Sequence, residues 1–270
     1  MVEIDETAVA EAWDGNAAAW IAQVRAGRDF YREAFNNPAF LEFLPELTGL
    51  SVLDLGCGEG RNTRLFAQRG AHMTGIDISP RLIAAAQAAE TAEPLGIGYH
   101  IGSYTDLDGF SDSSFDAAVS TMALMDSPGF DRAAQSVHRV LRRGGWFCLS
   151  VLHPCFVTPG YRWLRDSGGN ERGLVVADYF SDQVSWEQWR FKSGERSEDQ
   201  GQPESEGTDF TSARMPYRLE DYVNGLCEAS FRIRVLQEPR PTEAMVEAHP
   251  RLGRLRRHAP IFLYLYAVKE

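Results

Sequence analysis

Along this chain, segments with the apolar pattern of strands alternate with segments that have the apolar pattern of helices. Short apolar runs, which are typical of buried strands, occupy residues 51–55, 72–76, 98–102, 115–120 and 145–152. Segments with apolar residues three or four positions apart, which are typical of helices, lie between them at 62–68, 80–90 and 129–142. Strands that alternate with helices build a parallel sheet covered by helices on both faces, so the pattern predicts an α/β fold.

The pattern changes on both sides of this core. Residues 7–26 and the aromatic-rich segment after them predict an N-terminal helical lid. Residues 153–217 form a long aromatic-rich stretch, which predicts a cap inserted after the fifth strand. A helix at 218–229 and strands at 231–238 and 261–268 then complete the sheet. The predicted parts are the lid (1–49), the core (50–152), the inserted cap (153–217) and the C-terminal completion of the core sheet (218–270).

The first strand ends in a turn with alternating glycines. The run from Val52 to Gly60 reads VLDLGCGEG, and its glycines let the backbone approach a ligand closely. A dinucleotide-binding fingerprint would have another glycine where this chain has Arg61. The second strand ends at Asp77, whose carboxylate can accept hydrogen bonds from two ribose hydroxyls. The two motifs therefore predict a nucleoside site.

These motifs resemble motifs I and II of the class I S-adenosylmethionine-dependent methyltransferases, in particular those that act on small molecules. Phe115-Asp116 and the run from Arg139 to Gly145, which flank the fourth and fifth strands, strengthen the resemblance. It implies a Rossmann-like, mostly parallel seven-stranded sheet whose last strand is antiparallel and lies between strands five and six. It also implies that the core binds S-adenosyl-L-methionine and that S-adenosyl-L-homocysteine is a product.

The resemblance assigns cofactor-binding roles to particular residues. Asp77 would hold the ribose, Ile78 would pack on the adenine, and Met122 would lie beneath the sulfonium. The methionine part would lie along Asp54, Gly56, Gly58 and Gly60, and Cys57 in the same turn would also bind the cofactor.

One segment departs from the family pattern. Many relatives carry Gly-Asp-Ala where this chain has Gly102-Ser103-Tyr104. The acid that would contact the adenine is therefore missing, and Ser103, Tyr104 or Asp106 would take over that contact.

Two residues are predicted to act in catalysis. His153 follows the fifth strand at the carboxyl edge of the sheet, where ligands of open α/β folds bind, and could serve as a general base. The alternative is that it caps the strand or hydrogen-bonds to the lid. Asp126 follows the fourth strand and could orient a hydroxyl or an amine, or it could be the N-cap of the next helix.

Aromatic residues outside the core are candidates for the wall of a substrate pocket. Trp20 and Tyr31 come from the predicted lid, and Tyr179 comes from the predicted cap. Aromatic faces suit a flat or cationic small molecule. Core packing is the alternative use for each of them.

The amino-acid composition limits the kinds of molecule that the protein is expected to bind. The 270 residues carry a formal net charge of −11, which argues against binding nucleic acid. Arg251, Arg254, Arg256 and Arg257 are the local exception; we interpret them as a solvated helix face, with RNA binding as the alternative.

Other sequence features bear on location and cofactors. No apolar run approaches a membrane span, and the first residues contain no apolar signal core. The four cysteines show no CxxC spacing, and no metal-ligand motif is present. We therefore expect a cytoplasmic protein without a metal or a membrane partner; the sequence carries no signal for its oligomeric state.

The sequence thus predicts an S-adenosylmethionine-dependent methyltransferase. We expect in-line transfer of the methyl group to an oxygen or a nitrogen of a small-molecule acceptor. Two alternatives remain: methylation of carbon on a quinone or polyketide-like ring, and a cofactor-binding protein without catalytic activity.

Overall fold

Eleven strands are present in the computed structural model, which describes residues 4–191 and 209–270. In chain order they are β1 (Ser51–Leu55), β2 (His72–Asp77), β3 (Gly98–Ile101), β4 (Phe115–Thr121), β5 (Leu141–Leu152), β6 (Arg162–Arg165), β7 (Glu171–Val175), β8 (Ser185–Trp189), β9 (Phe210–Arg214), β10 (Phe231–Gln237) and β11 (Phe262–Lys269).

Seven of these strands form the central sheet, in the order β10-β11-β5-β4-β1-β2-β3. Neighbouring strands from β5 to β3 are parallel, whereas β11 runs antiparallel to both β5 and β10. The predicted Rossmann-like sheet, with its last strand antiparallel and inserted beside the fifth, is confirmed. Because the parallel strands end at one edge, the turns after β1, β2 and β4 lie side by side there.

The helices pack around this sheet. They are α1 (Glu6–Arg25), α2 (Asn37–Phe43), α3 (Arg61–Ala67), α4 (Pro80–Ala92), α5 (Phe130–Val140), α6 (Leu219–Glu228), α7 (Glu243–Ala248) and α8 (Gly253–Arg257), with a π-helix at Arg32–Asn36 and a 3₁₀ turn at Pro250–Leu252. Side-chain caps begin several of them. Asp5 accepts a hydrogen bond from the backbone N–H of Ala8 (2.8 Å), and Ser79 accepts one from that of Leu82 (3.3 Å). None of the described helices combines the length and the apolar character needed to cross a bilayer.

The core has one apolar layer on each face of the sheet. On one face Leu53 and Leu149 pack with residues of α5 such as Val137. On the other face Val52 and Cys148 belong to the cluster that contains the aromatic residues of the N-terminal segment. Complete burial of such side chains stabilises the fold by about 1.5–3 kcal/mol each, which fixes the strand ends where the site lies.

One predicted boundary is wrong. The helix predicted at 129–142 ends at Val140, and the strand predicted from residue 145 begins at Leu141. Phe115 pairs with Leu141 and Ala117 with Trp146, so the pair of glycines at 144 and 145 forms an irregularity inside β5. A Cβ at Gly145 would lie 2.8 Å from the carbonyl oxygens of Arg142 and Asp116, which explains the glycine there.

The predicted inserted cap contains two small antiparallel sheets, β6-β7 and β8-β9. Residues 192–208 of the predicted cap lie outside the described residues. Helix α1 is attached to β9 by both ends of one amide: Asn16 donates to the carbonyl of Thr211 (2.7 Å) and accepts from its N–H (3.2 Å). The N-terminal helix and the cap therefore meet above the carboxyl edge of the sheet. The division into four parts stays a prediction.

Candidate functional site

A cavity of about 610 Å³ opens at the carboxyl edge of the sheet. Its size is within the range of pockets that hold small ligands and cofactors. Of the residues predicted to bind cofactor, those that line it are Gly56, Cys57, Gly58, Asp77, Ile78, Ser103, Tyr104 and Met122. The cavity is also lined by Asp126, Trp20 and Tyr31. The predicted site residues that do not line it are Asp54, Gly60, His153 and Tyr179.

The glycine turn brings bare backbone to the cavity. Gly56 has a φ of +70°, and a Cβ there would collide with Cβ of Ala123, so only glycine lets β1 pass this close to the segment after β4. Gly58 has a φ of +58°, and a Cβ there would meet no atom within 4 Å. Gly58 thus forms an open cradle for a ligand.

Asp77 lies at the end of β2 beside this turn. Its Oδ2 accepts a hydrogen bond from the N–H of Gly58 (2.8 Å), and its Oδ1 accepts one from the N–H of Ser79 (2.9 Å). Burial raises its pKa, while the bonds from Ser79 and Gly58 oppose that rise. A carboxylate has about four lone-pair sites, so each oxygen can accept one more hydrogen bond. The cradle and this acceptor set fit a ribose with its attached tail.

Two residues predicted to line the cofactor, Asp54 and Gly60, instead lie outside the cavity and stabilise the glycine turn. Asp54 is buried, and its Oδ2 accepts a hydrogen bond from Oγ1 of Thr63 (2.6 Å). Burial raises the pKa of Asp54 to about 7. A Cβ at Gly60 would lie 2.5 Å from the hydroxyl oxygen of Tyr99, so this glycine allows close packing rather than ligand contact.

The predicted adenine side is lined by Ile78, Ser103 and Tyr104. Oγ of Ser103 is 2.9 Å from Oγ1 of Thr105, which donates to Oε1 of Glu6 on α1 (2.5 Å). Asp106 is exposed and does not line the cavity, so the structure does not bring it to the place of the missing family acid.

Met122 stands at the turn after β4 in an unusual conformation. Its φ is +58°, and its N–H donates to the carbonyl of Ser150 (2.8 Å). A residue other than glycine in this region is strained by about 1–3 kcal/mol, and such strain clusters at functional sites. No sequence pattern announces this conformation.

Asp126 faces the cavity from the same turn. Helix α5 begins at Phe130 with Gly129 as its N-cap, so the alternative role of Asp126 as a cap is wrong. Burial raises the pKa of Asp126 well above the usual range, Glu187 adds to the rise, and Arg214 opposes it. Among the described residues, no hydrogen bond reaches the Asp126 side chain. A buried carboxyl of this kind can accept a proton from an acceptor hydroxyl or amine.

Glu187 and Arg214 come from the cap and were missed by sequence reasoning. Nη1 of Arg214 lies 2.9 Å from Oε1 of Glu187, and both residues line the cavity. The only sequence signal was the alternation along β8, which places Glu187 on the same face as Trp189. Without knowing where the cap docks, that alternation does not point to Asp126.

His153 lies off the cavity. Its Nε2 is 2.9 Å from Oε1 of Glu238, its Nδ1 accepts a hydrogen bond from the N–H of Cys155 (3.2 Å), and its side chain is 2% exposed. Burial lowers its pKa, and Glu238 opposes that change. Both ring nitrogens are engaged, which corresponds to the alternative role of a strand cap and argues against the predicted base.

The predicted substrate residues divide in the same way. Trp20 lines the cavity, with its ring 5.4 Å from that of Phe191 and 5.6 Å from that of Phe210. Tyr31 also lines it, and its hydroxyl accepts a hydrogen bond from Arg254. Tyr179 instead lines a small neighbouring cavity and accepts a hydrogen bond from the N–H of Leu219 (3.4 Å), so its predicted substrate role is not supported.

The interpretation of the arginine cluster as a solvated face is wrong for two of its members. Arg251 and Arg254 line the main cavity, and the Arg254 side chain is only 15% exposed. Arg256 pairs with Glu243 (2.7 Å), and Arg257 is exposed. The helical pattern gave the spacing of these residues but not the face that α8 turns to the site.

Comparisons with known proteins agree with this geometry. A family model described as a methyltransferase domain matches residues 53–149. An uncharacterized protein of Mycobacterium tuberculosis is 39% identical over 97 residues, which cover 36% of this chain and 35% of that protein. A ubiquinone biosynthesis O-methyltransferase of Xanthomonas oryzae is 32% identical over 120 residues, which cover 43% of this chain and 50% of that enzyme. The chain therefore spans between a third and a half of the length of these relatives.

A solved structure extends the similarity over most of the chain. The S-adenosylmethionine-dependent methyltransferase of Mesorhizobium loti superposes with a TM-score of 0.68 and 28% identity, over 86% of this chain and 96% of that chain. The order and direction of the strands are those of the class I methyltransferase fold. Residues 53–149 thus match a methyltransferase domain, and the fold is that of the S-adenosylmethionine-dependent methyltransferases, whose cofactor is S-adenosylmethionine.

Proposed function

We propose that this protein transfers a methyl group from S-adenosylmethionine to an oxygen or a nitrogen of a small molecule. The observation that carries the proposal is one cavity with the nucleoside-type acceptor Asp77 at one place and the buried carboxyl of Asp126 at another. The 32% identity to the O-methyltransferase of Xanthomonas oryzae supports an oxygen acceptor, although only half of that enzyme is covered.

The residues present fit the cofactor. Asp77 would accept from the two ribose hydroxyls, Gly58 would let backbone lie against the tail, and Ile78 would pack on the adenine. Arg32 lines the cavity as well. Burial raises the pKa of Asp29, and the Arg32 guanidinium opposes that rise, so a positive charge lies near this end for the carboxylate of the tail.

For this reaction the protein must align the acceptor atom with the methyl group and accept the proton that the acceptor loses. When bound, S-adenosylmethionine supplies a methyl group that its sulfonium already makes electrophilic. Asp126 would accept the proton that leaves the attacking oxygen or nitrogen. The Glu187–Arg214 pair would tune the pKa of that carboxyl, because Glu187 raises it and Arg214 lowers it. The aromatic wall around Trp20 would exclude water.

Calorimetry of S-adenosylhomocysteine binding tests the nucleoside site. Asp77→Asn keeps the shape of the side chain but removes its charge, and Asp77→Ala removes the acceptor. Because hydrogen bonds to a charged group are worth about 1.5–3 kcal/mol each, we expect the dissociation constant to rise at least about tenfold in both variants. Asp131→Asn, an exposed aspartate outside the cavity, is the matched control. Equal affinity in all four proteins would contradict the assignment.

A screen with donor carrying a labelled methyl group tests the reaction itself. The wild-type protein is incubated with metabolite extracts, and labelled products are identified by mass spectrometry and by the chemical shift of the new methyl group. We expect a methyl on oxygen or nitrogen. A methyl on carbon would establish the alternative ring methylation, and label in no product despite tight donor binding would favour the non-catalytic alternative.

A further inference from the structure

Arg251 and Arg254 line the same cavity as Asp77 and lie against Phe30 and Tyr31. The cavity wall here includes Ile261 and Phe262, where β11 begins. Four strand steps separate β2 from β11 in the sheet, which corresponds to about 19 Å at about 4.8 Å per step. The two arginines line the cavity from the segment that precedes β11, whereas Asp77 lines it from the end of β2.

Among the described residues, no acid balances the positive charge of Arg251. Its guanidinium carbon lies 4.8 Å from the ring centroid of Phe30 and 5.8 Å from that of Tyr31. Within residues 4–191 and 209–270, no carboxylate reaches ion-pair distance of Arg251, and no hydrogen bond from its side chain is present. A guanidinium over aromatic rings uses its face, and its N–H donors point outward in its own plane. Those donors remain available to a ligand.

Arg254 is held in place, and one of its donors is unused. Its Nη1 lies 2.7 Å from Oε1 of Glu171, its Nη2 donates to the hydroxyl of Tyr31, and its guanidinium carbon lies 4.9 Å from the ring centroid of Trp163. Its Nε is buried and has no hydrogen-bond partner among the described residues. A buried donor without a partner is unfavourable, which indicates that a ligand atom completes this set.

We propose that the methyl acceptor is an acid, and that its carboxylate or phosphate group binds between Arg251 and Arg254. That the bound acid is the methyl acceptor rests on the proposed function. That an anion binds here rests on the two arginines alone. Aromatic rings of Phe30, Tyr31 and Trp163 beside the guanidinium groups favour a flat acid.

The test measures binding of simple anions to the full-length protein saturated with S-adenosylhomocysteine. The probes are 4-hydroxybenzoate, phenyl phosphate and the neutral methyl 4-hydroxybenzoate, titrated by calorimetry. We expect at least one of the two acids to bind, and the ester to bind at least about tenfold more weakly than 4-hydroxybenzoate if the group is a carboxylate. Preference between 4-hydroxybenzoate and phenyl phosphate separates the two anion chemistries.

Variants locate the site. Arg251→Gln should weaken binding of the preferred acid at least about tenfold, while affinity for S-adenosylhomocysteine stays at the wild-type value. Arg257→Gln, the same change on the exposed side of α8, should leave both affinities unchanged. Three results would overturn the proposal. The first is an acid affinity that is equal in the two variants, and the second is equal binding of acid and ester with no preference for phenyl phosphate. The third is no binding of either acid.

Failure of the proposed function has a different signature. If S-adenosylhomocysteine does not bind the wild-type protein, the methyltransferase proposal falls. The same acids titrated into the free protein then still decide the arginine site, because Arg251 and Arg254 do not depend on the nucleoside site.

Discussion

Single residues at this site owe their chemistry to burial. Asp126 and Asp54 are both carboxyls removed from water, but they face different neighbours. Asp126 looks into the cavity beside Glu187, whereas Asp54 lies behind the glycine turn against Thr63. Burial raises the pKa of each, so one can take up a proton during turnover and the other makes folding depend on pH.

Asp126→Asn should lower the rate of methyl transfer by about a hundredfold or more, because general-base contributions are typically of that size. The wild-type rate should rise with pH through an acidic limb that lies above the ordinary carboxyl range, since only the ionised form accepts a proton. That limb should be absent in the variant. Rates measured across pH with the acceptor found in the labelled-donor screen check both expectations. A variant that keeps the rate and the limb would remove Asp126 from the mechanism, and Asp131→Asn supplies the control.

Asp54→Asn should flatten the pH dependence of stability. The ordinary pKa of 3.8 is raised to about 7, so the folded protein binds this proton more tightly than the unfolded chain does. Its contribution is therefore fully present at low pH and is lost as the pH rises from about 4 to about 7. Between pH 5 and pH 7 the free energy of unfolding of the free wild-type protein should fall by about 2 kcal/mol more than that of the variant. Urea unfolding at the two pH values measures this; parallel falls would show that Asp54 titrates normally.

At the scale of elements, helix α1 closes the site by docking on the cap. Asn16 makes both of its amide hydrogen bonds with one residue of β9, Thr211. Asp14, also on α1, accepts from Oγ of Ser79 (2.9 Å) and from the N–H of Arg81 (2.9 Å) at the start of α4. The helix is thus tied to the cap on one side and to the cofactor-binding core on the other.

Asn16→Ala should loosen that closure. Loss of the paired amide bonds leaves the N–H and carbonyl of Thr211 without their partner, which should cost about 1–3 kcal/mol of stability. We expect S-adenosylhomocysteine to dissociate several times faster, because Trp20 on α1 lines the cavity. Stopped-flow displacement measures the rate, and Glu11→Ala on the exposed side of α1 is the control. An unchanged dissociation rate together with reduced stability would show that the amide serves folding alone.

The elements themselves were largely predictable, because their signals are local. The strands at 51–55 and 115–120 follow from apolar runs, and α4 follows from Ser79 and Pro80 at its start. The boundary between α5 and β5 was not predictable, since its glycines serve a sheet irregularity that depends on the partner strand. Periodicity reports which face of a segment is apolar, but it does not report what that face will meet.

The same physical reason limited prediction of the site. Motif spacing predicted that Gly58 and Asp77 lie at the ends of adjacent strands, and the N–H of Gly58 does donate to Oδ2 of Asp77. The orientation of His153 was not found, because Glu238 and Cys155 turn its ring away from the cavity through contacts that the motif does not encode. Arg251 reaches the cavity from the segment between β10 and β11, and Arg214 reaches it from the predicted cap. Where these segments dock depends on contacts with parts of the chain that are distant in sequence.

At the scale of the whole molecule, ligand binding should stabilise the fold by mass action. At S-adenosylhomocysteine concentrations about 100 times the dissociation constant, the expected gain is about 2.7 kcal/mol. For a chain of this size we expect the midpoint of thermal unfolding to rise by about 5–10 °C. Asp77→Ala should lose most of that rise at the same ligand concentration. Differential scanning fluorimetry with and without ligand measures it, and an equal rise in Asp77→Ala would place the bound ligand elsewhere.

The position of β11 has a consequence for how the chain reaches this state. The last strand is not at the margin of the sheet; it fills the gap between β5 and β10. A nascent chain whose residues from Phe262 onward are still inside the ribosome therefore offers two unpaired strand margins, each able to join a stray peptide. The gap is closed only after β5 and β10 have both been synthesised, so translation that stops before Phe262 should yield an aggregating product.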